Sequence, residues 1–425
     1  MSEQKTILMI LNQKFLPDIR VEQEYEALIK NGYRVFVVAN EDGFNNKNYE
    51  IIRLNPFAKW SQIFNLSLSY NPILKNLIVN ELKKRGIKYV DVIHVHDLLW
   101  SFLGLQLKKH YKGKLIIDLH ENYPEAIRDM ITERSFKNND TFIYKIIEVA
   151  CTITRPRNII NYLSKWAISV KRLIRYENKM LQKCDRFIVV VDEALERFKN
   201  KEFFKKGVVV SNTKDPEIWK FLGLPEIKTK LVICYVGSVQ NLRGLDTAIL
   251  AMKHLSQKEY ELNIVGIIAN SQIYKYFKYI IDKNNITNVN LIEWLANEND
   301  AFKYINDAHI CIVPHKDTGL TQTTVPHKLF MYMAVGRPVL VSDVAPLKRI
   351  VNNAGNGLIF RANDPLDFAN KIKQLKDESR LPELARNGRY AAENMYNWLR
   401  DKERLLTVYS ELLSKVTPDV NSGHQ

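Results

Sequence analysis

Several common signatures are missing from this sequence. Its four cysteines, Cys151, Cys184, Cys234 and Cys311, stand far apart with no CxxC pair, which argues against a zinc ribbon or a disulfide framework and fits a reducing cytosol. Neither a GxGxxG dinucleotide loop nor a GxxxxGK[ST] phosphate loop occurs, so no dinucleotide cofactor or P-loop nucleotide is indicated. No apolar run reaches the length of a membrane span, and the opening MSEQKTILMILNQKF lacks the basic start of a signal peptide. The expectation is a soluble chain, or one resting on a membrane surface. Acid is scarce as well: 47 Asp and Glu face 62 Lys and Arg, a net charge of +15. That balance points to an anionic partner, whether nucleic acid, an acidic membrane or a phosphorylated substrate.

What is present is size and rhythm. At 425 residues with 46% hydrophobic content the chain is long enough for two cores. Short apolar runs (TILMIL, YRVFVVA, DVIHVH, KLIIDLH, RFIVVV) alternate with helical stretches such as VEQEYEALIKNG, the pattern of βαβ units and a parallel sheet. After a connector near residues 205–230 the pattern restarts with LVICYVG, ELNIVG, NVNLIE, HICIVP and RPVLVSD, so a second α/β lobe is expected. The tail TPDVNSGHQ reads as frayed.

One stretch breaks the rhythm. Residues 138–183 are long enough for two helices and carry Arg155, Arg157, Lys165, Lys171, Arg172, Arg175, Lys179 and Lys183. Apolar Ile160, Leu163, Trp166, Ile168 and Leu173 interleave with these cations, as in a helix lying on anionic lipid. The plainer reading, and the default for a run of charges, is a pair of ordinary helices packed on the sheet with their charges facing water.

In open α/β sheets ligands bind beyond the carboxyl ends of strands. The residues found there are polar: Asp18 and Arg20 after the first strand, His96 and Asp97 after DVIHV, His120 and Glu121 after KLIID, and Gly237, Ser238 and Arg243 in YVGSVQNLRG. Each also has a structural explanation. Asp18 can cap a helix, Arg243 can pair with Asp246, and His94, His254 and His309 read as packing or surface residues.

The stretch TTVPHKLFMYMAVGRPVLVSD (323–343) reads as a helix handing over to a strand. Pro326 suits a first helical position, Thr323 and Thr324 can cap it, Gly336 suits the residue past its end, and Pro338 stops continuation. His327 and Lys328 fall in the first turn, where acids are ordinarily preferred, so an anionic ligand is expected at the front of this helix.

In this order the segments FLPDIRVEQEYEALIKNGYRVFVVA, DLHENYPE, VVVSNTKD, YVGSVQNLRGLDTAI, INDAHICIVP, PHKLFMYMAVGRPVLVSD and NMYNWLRDKERLLTVYSELL resemble the family 4 retaining glycosyltransferases of the GT-B fold, of the bacterial or archaeal surface-polysaccharide type. The resemblance covers nearly the whole chain. It implies an α/β architecture of two Rossmann-like, doubly wound parallel-sheet domains facing across a cleft. Residues 1–205 would bind acceptor, with 138–183 as a basic helical insertion; 206–395 would bind the donor; 396–425 would hold a helix returning to the first domain.

The implied activity is retaining, metal-independent hexosyl transfer from a nucleotide-diphosphate sugar, UDP- or GDP-linked. The acceptor would be a glycan or lipid-linked molecule in capsule, exopolysaccharide or lipopolysaccharide biosynthesis. No cofactor and no nucleic acid would be involved, and the enzyme would be cytoplasmic, with residues 150–183 as the contact for an anionic membrane surface. His120 would touch the transferred sugar and, with Arg243, serve catalysis. Gly237, Ser238, Arg243, Thr323, Thr324, His327, Lys328 and Met331 would line the donor site, and Asp18, Arg20, His96 and Glu121 the acceptor side. The family's favoured description is same-face attack, with a donor phosphate oxygen helping to take the acceptor proton.

The chain also departs from the family. Two glutamates commonly stand eight residues apart in the donor segment, where Thr323 and Met331 stand here, and Ser238 replaces a frequent arginine. Met331 cannot accept hydrogen bonds from a ribose. These departures motivate a second reading, a non-catalytic GT-B module with a degenerate donor site that binds glycan or a partner. Nucleic-acid binding has only net charge in its favour, without a module motif. A glycosidase pair of Glu121 and Glu125 would have to straddle one bond, which nothing in the sequence indicates.

Overall fold

The computed structural model describes residues 4–15, 18–40, 49–54, 72–133, 169–294, 298–377 and 380–414. The first lobe is a seven-stranded parallel sheet of β1 (Thr6–Lys14), β2 (Arg34–Asn40), β3 (Ile51–Leu54), β4 (Val92–His96), β5 (Lys114–Leu119), β6 (Arg186–Val189) and β7 (Gly207–Val209). Its order is β3-β2-β1-β4-β5-β6-β7, so the winding direction reverses between β1 and β4. The second lobe has six parallel strands: β8 (Leu231–Val236), β9 (Tyr260–Ile267), β10 (Val289–Glu293), β11 (Ile310–Val313), β12 (Val339–Ser342) and β13 (Gly357–Phe360). Their order, β10-β9-β8-β11-β12-β13, reverses between β8 and β11. Each reversal opens a crevice at the strand carboxyl ends, and the two crevices face each other.

Strand periodicity explains why both faces of each sheet are covered. In β1, Ile7, Met9 and Leu11 point to the helix Ile19–Lys30 and the C-terminal helix Trp398–Leu413, while Leu8 and Ile10 join the core on the other face. β2 alternates likewise, Val35 and Val37 against Phe36 and Val38. Near-continuous apolar strands are what a parallel sheet with helices on both faces demands. The apolar cluster on the inner face runs from the first lobe into the second through Trp219, Val325 and Phe330.

The lobes are also joined by polar contacts. Arg349, on the helix Ala345–Ala354, makes a bidentate pair with Glu193 (2.7 and 2.9 Å) and reaches Asp192 (3.0 Å). The helix Trp398–Leu413 returns to the first lobe, burying Leu405, Val408 and Tyr409 against it and pairing Glu411 with Arg186 at 2.7 Å.

The structure corrects several expectations. The strands β3, β7 and β13 were not legible as apolar runs. Since Gly207–Val209 pairs with β6 in the first sheet, the crossing begins at Val210 and a boundary at 205/206 falls one strand too early. Of the basic stretch 138–183, residues 138–168 lie outside the described residues, as does the tail 417–425. The remainder forms the helix Val170–Lys183, whose inner side buries Leu173, Tyr176, Met180 and Leu181 while Lys171, Arg175 and Lys179 stay exposed. Leu173 therefore packs in the core and is no lipid-facing residue.

Leu405→Ala should lower stability by roughly 2–5 kcal/mol, because a fully buried side chain is removed from a helix packed against the helix Ile19–Lys30 and β7. Urea unfolding measures this; a loss well below 1 kcal/mol would contradict the packing role.

Candidate active site

The first lobe's crevice is built around a buried carboxylate. Asp118, on β5, is fully buried and accepts from Arg20 Nη2 (3.0 Å) and Nε (3.2 Å), with His120 Nε2 at 3.2 Å and His96 Nδ1 at 3.6 Å. Burial alone would raise its pKa, but Arg20 and His120 hold it well below the usual range. Arg20 and Glu24 stand one turn apart on the helix Ile19–Lys30, and their side chains meet at 3.2 Å. Burial pushes Glu24 up to about 8, against the opposing charge of Arg20. His94 sits beneath, kept neutral by burial and by His96, with Nδ1 2.7 Å from the Tyr409 hydroxyl of the returning helix. The C-terminal helix thus touches the floor of the site.

His120 caps this stack and is the member that faces the crevice, with 16% of its side chain exposed. Burial would lower its pKa, but Asp97 and Asp118 outweigh that and raise it to about 10. It is an imidazolium at neutral pH. Asp97 is held beside it in a left-handed conformation (φ 66°), its N–H donating to the Asp118 carbonyl at 2.7 Å.

The second lobe offers the opposite kind of chemistry. Arg243 Nη1 lies 3.1 Å from His315 Nε2, and Lys328 Nζ donates to the Tyr235 hydroxyl at 2.6 Å while lying 4.0 Å from that ring's centre. Among the described residues none of Arg243, His315 and Lys328 forms an ion pair. Asp246, the alternative partner for Arg243, pairs with Lys316 at 2.9 Å. Burial and the nearby Arg243 hold both Lys328 and His315 well below their ordinary pKa values. Arg243 Nε and His315 Nδ1 are buried without a hydrogen-bond partner. Gly237 (φ 123°) lets the loop after β8 pass Lys328 closely, since a Cβ there would stand 3.1 Å from Nζ. Ser238 is exposed, its carbonyl accepting from the Tyr235 hydroxyl at 2.7 Å.

The helix beyond this cluster runs His327–Ala334, with Pro326 as its N-cap and no side chain capping it. The expected caps are otherwise engaged. Thr323 and Thr324 hydroxyls donate back to the Leu320 carbonyl (both 3.1 Å), and Thr323 Oγ1 also accepts from Asn122 Nδ2 of the first lobe at 3.2 Å. Thr323 is therefore a seam contact rather than a free donor ligand. His327 is no cation: burial first, then Lys214 and Arg20, push it down to about 3, and its Nδ1–H donates to the Asn212 carbonyl at 2.8 Å. The end of the helix follows the sequence reading, with Gly336 at φ 67° and the Arg337 N–H returning to the Tyr332 carbonyl. Met331 is half-buried against the shared core.

On the acceptor side two expectations change. Arg20 is 4% exposed and spends its donors on Asp118, the Val210 carbonyl (2.9 Å) and Asn212 Oδ1 (3.0 Å), so it positions the site instead of meeting a ligand. His96 is 2% exposed and supports His120, with Nδ1 3.1 Å from His120 Nε2. Asp18 caps its helix by accepting from the Val21 N–H. Glu121 lies half-buried beside His120, its carboxyl raised to about 7 by burial and Asp97.

Sequence reasoning missed Asp118, Glu24, Tyr235 and His315. Two carried a signal: Asp118 is an acid inside an otherwise apolar strand, and His315 follows β11 at the reversal point. Tyr235 reads as an ordinary strand aromatic.

Residues 19–217 match the family model described as "Glycosyltransferase Family 4", and residues 221–395 the model described as "Glycosyl transferases group 1". Among curated proteins, an uncharacterized glycosyltransferase of Methanocaldococcus jannaschii is 25% identical over 179 residues, 42% of this chain and 47% of that protein. A D-inositol 3-phosphate glycosyltransferase of Xylanimonas cellulosilytica is 24% identical over 193 residues, 45% of this chain and 44% of its own. The chain thus spans about half the length of these curated relatives. Among solved structures, sucrose-phosphate synthase of Thermosynechococcus elongatus has a TM-score of 0.69 at 18% identity, covering 96% of this chain and 99% of the other. Anabaena HepE in complex with UDP has a TM-score of 0.67 at 11% identity, covering 96% and 100%. WaaG, a glycosyltransferase involved in lipopolysaccharide biosynthesis, has a TM-score of 0.59 at 12% identity, covering 96% and 100%. At these identities the likeness to solved structures is one of fold.

The pKa of His120 has a consequence for stability. Its folded value, about 10, lies above the unfolded value of ~6.5, so its contribution is full below pH ~6.5 and is lost as pH rises through 10. The stability gap between the wild type and His120→Asn, followed by urea unfolding, should shrink over that window. A gap that widens with pH would contradict the assignment.

Proposed function

Because the chain belongs to the GT-B glycosyltransferases, with a family 4 first lobe and a group 1 second lobe, we propose that it transfers a sugar from a nucleoside-diphosphate donor to an acceptor held against the first lobe. The observation that carries this reading is the convergence of Arg243, His315 and Lys328 at the β8/β11 reversal without a carboxylate partner. Positive charge gathered at such half-buried and buried positions is disfavoured until an anion neutralises it. A diphosphate supplies that anion, and the charge that develops on it as the sugar departs is stabilised by groups already in place. In this reading protein cations meet the phosphates without a divalent metal, and the sugar keeps its anomeric configuration.

His120 enters from the opposite lobe as a fixed positive charge that can donate to a sugar or phosphate oxygen. UDP is the first donor nucleotide to test, since a neighbour of the same fold was solved with it. A glycan or lipid-linked acceptor of cell-surface polysaccharide synthesis is in keeping with WaaG's printed role and with the exposed Lys171, Arg175 and Lys179, which suit an anionic membrane surface. No helix among the described residues is long and apolar enough to cross a membrane. The non-catalytic alternative retains one argument: Thr323 and Met331 leave the second lobe without its two usual carboxylates.

Thermal shift and calorimetry against UDP, GDP, ADP and CMP should show selective stabilisation by one nucleotide. Arg243→Ala should then weaken that nucleotide by roughly 1.5–3 kcal/mol, the scale of a charge-assisted contact, while leaving the fold intact. Unchanged affinity in the variant, or silence of the folded wild type across the panel, would contradict the donor site.

A further inference from the structure

From the cations of the second lobe, backbone contacts lead outward along the strand ends. A Cβ at Gly237 would stand 3.1 Å from Lys328 Nζ, the Gly237 N–H donates to the Val265 carbonyl at 2.9 Å, and a Cβ at Gly266 would collide with the Gly237 carbonyl. One strand further, the Trp294 N–H donates to the Ile267 carbonyl at 3.1 Å. The ends of β8, β9 and β10 thus form a continuous ledge, with Trp294 two strand spacings, about 10 Å, from Gly237. That is the reach from a diphosphate to the base it carries. At the far end of the ledge Ile268 is 69% exposed and Trp294 61%.

Strand alternation sorts the neighbours of that indole. Leu291 packs into the outer cluster of the second lobe and Ile292 into the inner one, so Trp294 continues on the inner face while the acid Glu293 turns outward with Leu291. The same inner cluster receives Met331, three residues along the helix from Lys328. Within the helix His327–Ala334 only His327 and Met331 are partly exposed, and His327 is committed to the Asn212 carbonyl. Trp294, Ile268 and Met331 offer a stacking face and van der Waals contact, but no strong acceptor for a ribose hydroxyl.

We propose that the donor nucleoside is held by its base, stacked on Trp294, with its ribose left unread against Met331, so that ribo- and 2′-deoxyribonucleoside diphosphate sugars are taken alike. The proposal rests on the transferase reading above and names the substrate class of the same site. A carboxylate in place of Met331 would accept from the ribose hydroxyls, and a deoxy donor would forfeit a charge-assisted bond. The thioether has no such bond to lose. Stacking on an open indole supplies the affinity instead, and it is indifferent to the 2′-hydroxyl. Thymidine-type donors thereby enter the substrate class on equal terms with uridine-type ones.

The test is calorimetric titration of the full chain with UDP, GDP and ADP, each beside its 2′-deoxy counterpart, and with inorganic pyrophosphate. For the nucleotide that binds tightest, the ribo and deoxy forms should agree within about threefold. Trp294→Ala should weaken both by roughly 10- to 100-fold, the scale of one stacked base, while Trp294→Phe keeps part of the affinity. Pyrophosphate, which has no base, should bind the Trp294→Ala variant within about twofold of the wild type. Met331→Glu, with Met331→Gln as the uncharged variant should the first fail to fold, should favour the ribo form by roughly tenfold. A wild type that binds the ribo form about tenfold tighter than the deoxy form overturns the proposal. So does a Trp294→Ala variant whose nucleotide affinity is unchanged, or whose pyrophosphate affinity falls equally. Absence of nucleotide binding by the folded wild type overturns the transferase reading itself, so the two failures are distinguishable.

Discussion

The guanidinium of Arg20 holds the two lobes in register. On one side it neutralises Asp118 and meets Glu24 inside the first lobe; on the other it holds the Val210 carbonyl and Asn212 Oδ1, the first residues of the crossing. Asn212 passes the constraint on, donating to the Val325 carbonyl while its own carbonyl accepts from His327. A single buried cation therefore links the floor of one crevice to the helix that fronts the other. Removing one partner of such a buried set costs roughly 3–5 kcal/mol, because the charges left behind are uncompensated. The set earns its place by geometry: it fixes where His120 and Lys328 stand relative to each other.

The two crevices answer different electrostatic problems. In the first lobe's crevice Arg20 and His120 each meet a carboxylate, and the outcome is a rigid, pre-charged His120. In the second lobe Arg243, His315 and Lys328 crowd together without one, and burial together with Arg243 lowers the proton affinity of Lys328 and His315. The first arrangement positions; the second awaits an anion. Glu121 lies between them, close enough to Asp97, His120 and Arg243 to register all three. Such an arrangement makes the proton inventory of the cleft depend on what is bound there.

Much of the fold was legible because parallel strands buried on both faces read as apolar runs, and because Gly336 and Pro338 punctuate their helix sharply. The strands β3, β7 and β13 escaped notice, each only three or four residues long and at a sheet edge. The candidates His120 and Glu121 just after β5, and Arg243 in the loop after β8, could be named from position alone. The roles of Arg20, His96, His327 and Thr323 could not, since each depends on a partner distant in sequence: Arg20 on Asp118, His96 on His120, His327 on Asn212, Thr323 on Asn122. Asp118 itself was visible as an acid in an apolar strand, but its significance lies in the three side chains that converge on it.

The central claim is that the cations of the second lobe wait for a diphosphate. Calorimetric titration of the full chain with inorganic pyrophosphate, repeated at pH 7.5 in buffers of different ionisation enthalpy, counts the protons that binding takes up. Burial and Arg243 lower the proton affinity of both Lys328 and His315, and a bound anion opposes both effects, so the account predicts net proton uptake on binding, reduced in a Lys328→Met, His315→Gln double variant. Pyrophosphate binding with no proton uptake, or uptake unchanged in that variant, would contradict it.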